Sequence, residues 1–135
     1  MVEFAIKDVD SSALLRFEGE IPRGLTGYDG CSFEIQFSSM PLSAAVRAYD
    51  IRPDRWADFF VELAENWRGW SGVKDHQSIE GHLGLEATSD SSGHVRLLIR
   101  LRGVEAGSNW TAESSIGLEA GQLEDLAARA RAYFG

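Results

Sequence analysis

The chain has 135 residues, 44% of them hydrophobic, and its 13 Lys and Arg against 21 Asp and Glu leave a formal net charge of −8. One domain of this length buries enough apolar surface to fold without staples, and the single Cys31 excludes an internal disulfide. The acidic balance repels phosphate backbones, so general nucleic-acid binding is not expected, whereas a basic protein partner would be attracted.

The N-terminus, MVEFAIKDVD, is acidic and amphipathic where a secretory leader would be basic and then apolar, and no run of about 18 apolar residues follows. A cytoplasmic chain that does not cross a membrane is expected. Val2, Phe4 and Ile6 alternate as in a half-buried strand, as do Ala13, Leu15 and Phe17. After the glycine-rich loop GEIPRGLTGYDG, the same period places Cys31, Phe33, Ile35 and Phe37 inward, which makes Cys31 a buried hydrophobe rather than a nucleophile. Leu42, Ala44, Val46 and Ala48 form the fourth strand. The period then changes to helical over about 53 to 68: Trp56, Phe59, Phe60, Leu63, Ala64 and Trp67 share a stripe, Pro53 stands at the first helical position, and Gly69 caps the end.

Three more strands are expected, carrying Leu83, Leu85 and Ala87, then Val95, Leu97, Ile99 and Leu101, then Trp110, Ala112, Ser114, Ile116 and Leu118. A last helix over about 121 to 134 aligns Leu123, Leu126, Ala127, Ala130 and Phe134. The fold class read from this pattern is α+β: one antiparallel sheet of about seven strands with two helices packed on one face, in the order ββββα then βββα. The two helical stripes coincide at an offset of 67 residues, Trp56 with Leu123 through Trp67 with Phe134, so a worn duplication and two helices obeying one periodic rule are both open.

WRGWSGVKDHQSIEG, residues 67 to 81, gathers the residues most suggestive of catalysis. Adjacent residues on a strand point opposite ways, which unsuits Asp75 and His76 to act together on Ser71, and the G-x-S-x-G elbow is absent. His82 and Glu86 lie about 13 Å apart on a strand, too far to share a zinc ion. No catalytic residue, metal or cofactor is therefore expected. Matching apolar faces across the hairpin pairs Leu85 with Leu97, which sets Glu86 opposite Arg96, Glu80 opposite Arg102, His82 opposite Arg100 and His94 opposite Thr88. The charged platform expected on the face away from the helices consists of His82, Glu86, Arg96, Leu98, Arg100, Arg102 and Glu113. An alternative site is a small-ligand or enzyme pocket between helix and sheet near Arg23, Trp70 and His76.

From about Phe33 to Phe134, the pieces FFVELAENWRGW, SIEGHLGLEATSDSSGHVRLLIRLR and WTAESSIGLEAGQLEDLAARARAYF resemble a bacterial family of small proteins of unknown function, most specifically in W-R-G-W and G-H-V. That resemblance brings no activity. More loosely, the order hairpin, helix, L-x-L-x-A-T-x-D…G-H-V, strand and helix resembles immunity proteins of wall-associated, contact-dependent bacterial toxins. This second likeness implies a single-domain, cytoplasmic, non-enzymatic protein that neutralises one toxin domain. No toxin-contacting residue carries over from it. The leading expectation is thus a protein-binding domain using the sheet face or the loop at 19 to 30. A homodimer joined through edge strands is a further possibility.

Overall fold

A computed structural model of the chain describes residues 2–22, 30–103, 107 and 109–135. Strands β1 (Glu3–Lys7), β2 (Leu14–Glu18), β3 (Cys31–Ser39) and β4 (Leu42–Asp50) lead into helix α1 (Asp54–Glu65). Strands β5 (Lys74–Gln77), β6 (Leu83–Ser89), β7 (His94–Gly103) and β8 (Trp110–Glu119) lead, through a 3-10 turn at Ala120–Gln122, into helix α2 (Leu123–Phe134). Each set of four strands is an antiparallel sheet whose spatial order is its chain order, β1-β2-β3-β4 and β5-β6-β7-β8. The expected single sheet of seven strands is therefore corrected to two sheets of four.

The extra strand is β5, whose sequence KDHQ carries no apolar alternation. It forms as an edge paired to β6, with Asp75 opposite Glu86 and His76 opposite Leu85. With β5 in place, the halves share one order of elements, four strands in a meander followed by a helix. Four of the five stripe positions matched at the 67-residue offset are buried in both helices, from Trp56 with Leu123 to Leu63 with Ala130. The fifth is not, because α1 ends at Glu65, where the Asn66 N–H closes on the Glu62 and Leu63 carbonyls. Trp67 thus leaves the stripe and is 53% exposed, while Phe134 is buried.

The alternation in β1 to β3 and β6 to β8 turns one apolar face of each sheet inward, and these faces join the buried stripes of α1 and α2 in a single core. Phe4, Phe17, Phe33 and Phe134 meet there, with Phe134 edge-on to the other three at 5.4 to 6.0 Å between ring centres. The helices pack on each other, α2 also against β1 and α1 against β5. Several polar ties join the halves, among them Lys74 to Glu62 at 2.6 Å and Arg129 to the Ala5 carbonyl at 2.7 Å. The β1–β2 turn docks on β8, where the Val9 N–H donates to the Gly117 carbonyl and the Gly117 N–H donates to the Asp8 carboxylate. That second bond is the main force holding the Asp8 carboxyl below its ordinary value.

Another tie is a buried acid. Extending the β4 alternation beyond Ala48 places Asp50 inward, where it is only 6% exposed. Its carboxylate accepts from the Trp56 indole N–H at 2.8 Å and from the Ile79 backbone N–H at 3.0 Å, so β4, α1 and the β5–β6 turn close on one group. Burial pushes the Asp50 carboxyl above its ordinary value, against the pull of the two hydrogen bonds and of nearby His76.

Candidate functional site

The second sheet presents a polar face opposite its core face. On β7, Val95, Leu97, Ile99 and Leu101 are buried, so Arg96, Leu98, Arg100 and Arg102 point outward. Cross-strand pairing arranges that outer face in rows: Asp75, Glu86, Leu98 and Ser115; then Gln77, Gly84, Arg100 and Glu113. Arg96 lies between Thr88 and Gly117, and Arg102 beside Thr111.

The pairing differs from the expected register by two residues: Leu85 faces Ile99 rather than Leu97, and Glu86 faces Leu98 rather than Arg96. A shift of two leaves every side chain on its face but changes its neighbours. The turn decides it. The Asp90 carboxylate accepts from the backbone N–H groups of Ser92 and His94, and the Asp90 N–H donates to the His94 carbonyl, which closes the hairpin at residues 90 to 93. These bonds to His94 and Ser92 hold the Asp90 carboxyl down to about 2. His94 consequently adjoins Asp90 and Glu119 instead of facing Thr88.

Of the seven expected platform residues, six lie on this outer face and His82 does not serve as an exposed member. It precedes β6 with outward parity, yet is 5% exposed. Its carbonyl accepts from the Arg102 N–H, and a Cβ added at Gly81 would sit 3.3 Å from Arg102 Nη1, so the Arg102 side chain reaches over this turn. The expected pairs of His82 with Arg100 and Glu80 with Arg102 give way accordingly, Gly84 facing Arg100.

The charges fall into two lanes. Arg100 donates to Glu113 at 2.8 Å, a bond that raises the guanidinium further above its ordinary value. Arg96 and Arg102 are exposed and make no ion pair among the described residues. Beside them, Asp75 and Glu86 are directly opposite like charges, also without an ion pair among the described residues. A basic lane along β7 therefore runs next to an acidic edge, with half-buried Leu98 between Arg96 and Arg100.

At the alternative site, Trp70 and His76 each pack against neighbours of their own. The Trp70 indole N–H donates to the Ala87 carbonyl at 3.2 Å and its backbone N–H to Ser89 Oγ at 3.0 Å, folding the ring over the sheet edge. His76 stands edge-on to Trp56, 4.4 Å between ring centres, and burial holds its imidazole below the ordinary value. Asp75 leaves the other side of β5 and is exposed. Arg23 lies outside the described residues. Among the described residues no cluster of three or more His, Cys, Asp or Glu is arranged to hold a metal ion, and no helix is long and apolar enough to cross a membrane.

Sequence reasoning missed a groove of about 460 Å³ between the helices, lined by Ala64, Trp67, Ala120, Ala127 and Arg131 among others. Trp67, exposed beyond the end of α1, forms part of the groove's wall. It also missed the Asp50 tie, for which the inward parity of β4 was the available signal.

Residues 6–135 match the model of a protein family described as a family of unknown function, DUF6228. The chain belongs to this family. Neither the curated proteins nor the solved structures give a match. Membership in DUF6228 spans both sheets and both helices, so the outer face and the Asp50 tie lie within the family domain.

Proposed function

We propose that this DUF6228 chain is a non-enzymatic, single-domain binding protein that docks a protein partner on the outer face of its second sheet. The observation that carries this reading is the pair of exposed guanidinium groups, Arg96 and Arg102, without ion-pair partners among the described residues, on a lane that also carries half-buried Leu98. Arginine beside a small apolar patch is a favoured composition for an interface hot spot. The partner that fits sets carboxylates against β7 and a basic side chain against Asp75 and Glu86.

In the version suggested by the loose likeness to immunity proteins, the partner is a toxin domain neutralised in the cytoplasm, and the net charge of −8 speeds capture of a basic one. The divergence of Asp75 and His76 from β5 supports a non-catalytic reading of that stretch.

The test is a pull-down from native lysate at low salt using the wild-type chain and the Arg96→Glu/Arg102→Glu variant. A stoichiometric protein retained by the first and lost by the second supports the proposal. Equal retention by the two, or no stoichiometric protein at all, overturns it. For the toxin version, a neighbouring gene encoding a secreted multidomain toxin is the expected finding, and a solitary metabolic neighbourhood contradicts it.

A further inference from the structure

Two open sheets have four edges, and an edge strand offers unpaired backbone N–H and C=O groups to any extended chain that reaches it. Three of the four are short or obstructed. β1 has five residues and β5 four. β8 has ten, but the β1–β2 turn occupies Gly117, whose N–H and carbonyl are both engaged, so a partner strand cannot run its length. β4 differs. It is nine residues long, and among the described residues its backbone makes no hydrogen bond beyond its ladder with β3. Its sequence, LSAAVRAYD, contains no proline or lysine to deter pairing. Its two charges are Arg47, which holds Glu34 at 3.1 Å, and Asp50, which is buried in the tie described above.

We infer that the β4 edge pairs antiparallel with β4 of a second copy, joining the two first sheets into one continuous sheet across a two-fold axis. Side chains keep to their own faces only in a register that pairs even positions with even and odd with odd. Centring on Val46 meets that condition and is self-complementary. On the core side Val46 meets its own copy and Ala44 meets Ala48. On the outer side Ser43 meets Tyr49 and Ala45 meets Arg47, so no like charges stand opposite. Ser43, Ala45 and Arg47 are exposed in the single chain, Arg47 while paired with Glu34. The backbone ladder selects an extended strand, and the small side chains of Ser43, Ala44 and Ala45 let it approach closely. The net charge of −8 on each copy opposes the association at long range, so added salt strengthens this dimer. A contact made by the charged outer face responds in the opposite sense. The dimer is independent of that docking surface, and either stands if the other fails.

The test is analytical ultracentrifugation of the full chain over a concentration series, at low and high salt, with two variants of exposed position 45. In the proposed register Ala45→Lys sets two symmetric pairs of like charge against Arg47 of the other copy, and Ala45→Glu sets two attractive pairs. The dissociation constant is expected to rise roughly 2- to 30-fold for the lysine variant and to fall by a similar factor for the glutamate variant. Circular dichroism of each variant confirms that the fold is kept. A chain that stays monomeric at its solubility limit in high salt overturns the proposal. So does a dimer that is indifferent to the charge at position 45.

Discussion

Replacing Asp50 by Ala removes the acceptor on which β4, α1 and the β5–β6 turn converge. Two donors lose their partner: the indole N–H of Trp56, which is fully buried, and the backbone N–H of Ile79, which is partly wetted. An orphaned buried donor costs about 1 to 3 kcal/mol, with the wetted one near the low end. Relief from burying a carboxylate offsets part of that, since burial already pushes its pKa upward. The net expectation is a loss of about 2 to 3 kcal/mol, or about 6 to 15 °C in Tm for a domain of this size. Chemical denaturation with a two-state fit measures it. The pH profile supplies an independent check. A folded-state pKa raised above the ordinary 3.8 means that Asp50 contributes most when protonated, so its contribution declines as pH rises from about 3.8 through the folded value. In Asp50→Ala that decline is absent. A change under about 0.5 kcal/mol, the range of a surface substitution, together with an unaltered pH profile, would refute the idea that Asp50 ties the halves.

His76 has the opposite sign. Its folded pKa is held below 6.5 by burial, so its contribution is complete above about pH 6.5 and is lost as pH falls toward the folded value; His76→Phe flattens that segment of the profile in urea titrations. Tyr133 is 6% exposed and its hydroxyl has no hydrogen-bond partner among the described residues. Tyr133→Phe is therefore expected to be neutral or to stabilise by up to about 2 kcal/mol, and a loss above about 1 kcal/mol contradicts the unpaired hydroxyl. Trp110 lies on Gly103, its cross-strand partner, where an added Cβ would collide with the indole nitrogen. Gly103→Ala should displace the ring and change tryptophan fluorescence. An unchanged spectrum argues against that packing.

The alternating stretches Phe4 to Ile6, Leu15 to Phe17, Cys31 to Phe37 and Val95 to Leu101 were legible because each keeps one face dry. β5 was not, because KDHQ is an edge whose inward contribution is the half-buried ring of His76 against Trp56. The division into two sheets was not legible either, because alternation marks the dry face of a strand and not which strand it pairs with. The β6–β7 register escaped for a different reason. Leu97, Ile99 and Leu101 are interchangeable partners for Leu85, and the choice rests on hydrogen bonds made by Asp90 in the turn rather than on the apolar pattern. At the site, parity placed Glu86, Arg96, Leu98, Arg100, Arg102 and Glu113 on the outer face, and failed for His82 because parity takes no account of what folds over a strand end.

The docking role of the second sheet is tested most directly by titration calorimetry of the purified partner against the wild-type chain and Arg96→Glu/Arg102→Glu, at low and physiological salt. If the two arginines anchor the contact, affinity falls by roughly 100-fold or more in the double variant, and the wild-type complex weakens as salt is added. An affinity within about threefold of wild type, from a variant that melts at the same temperature, would contradict it.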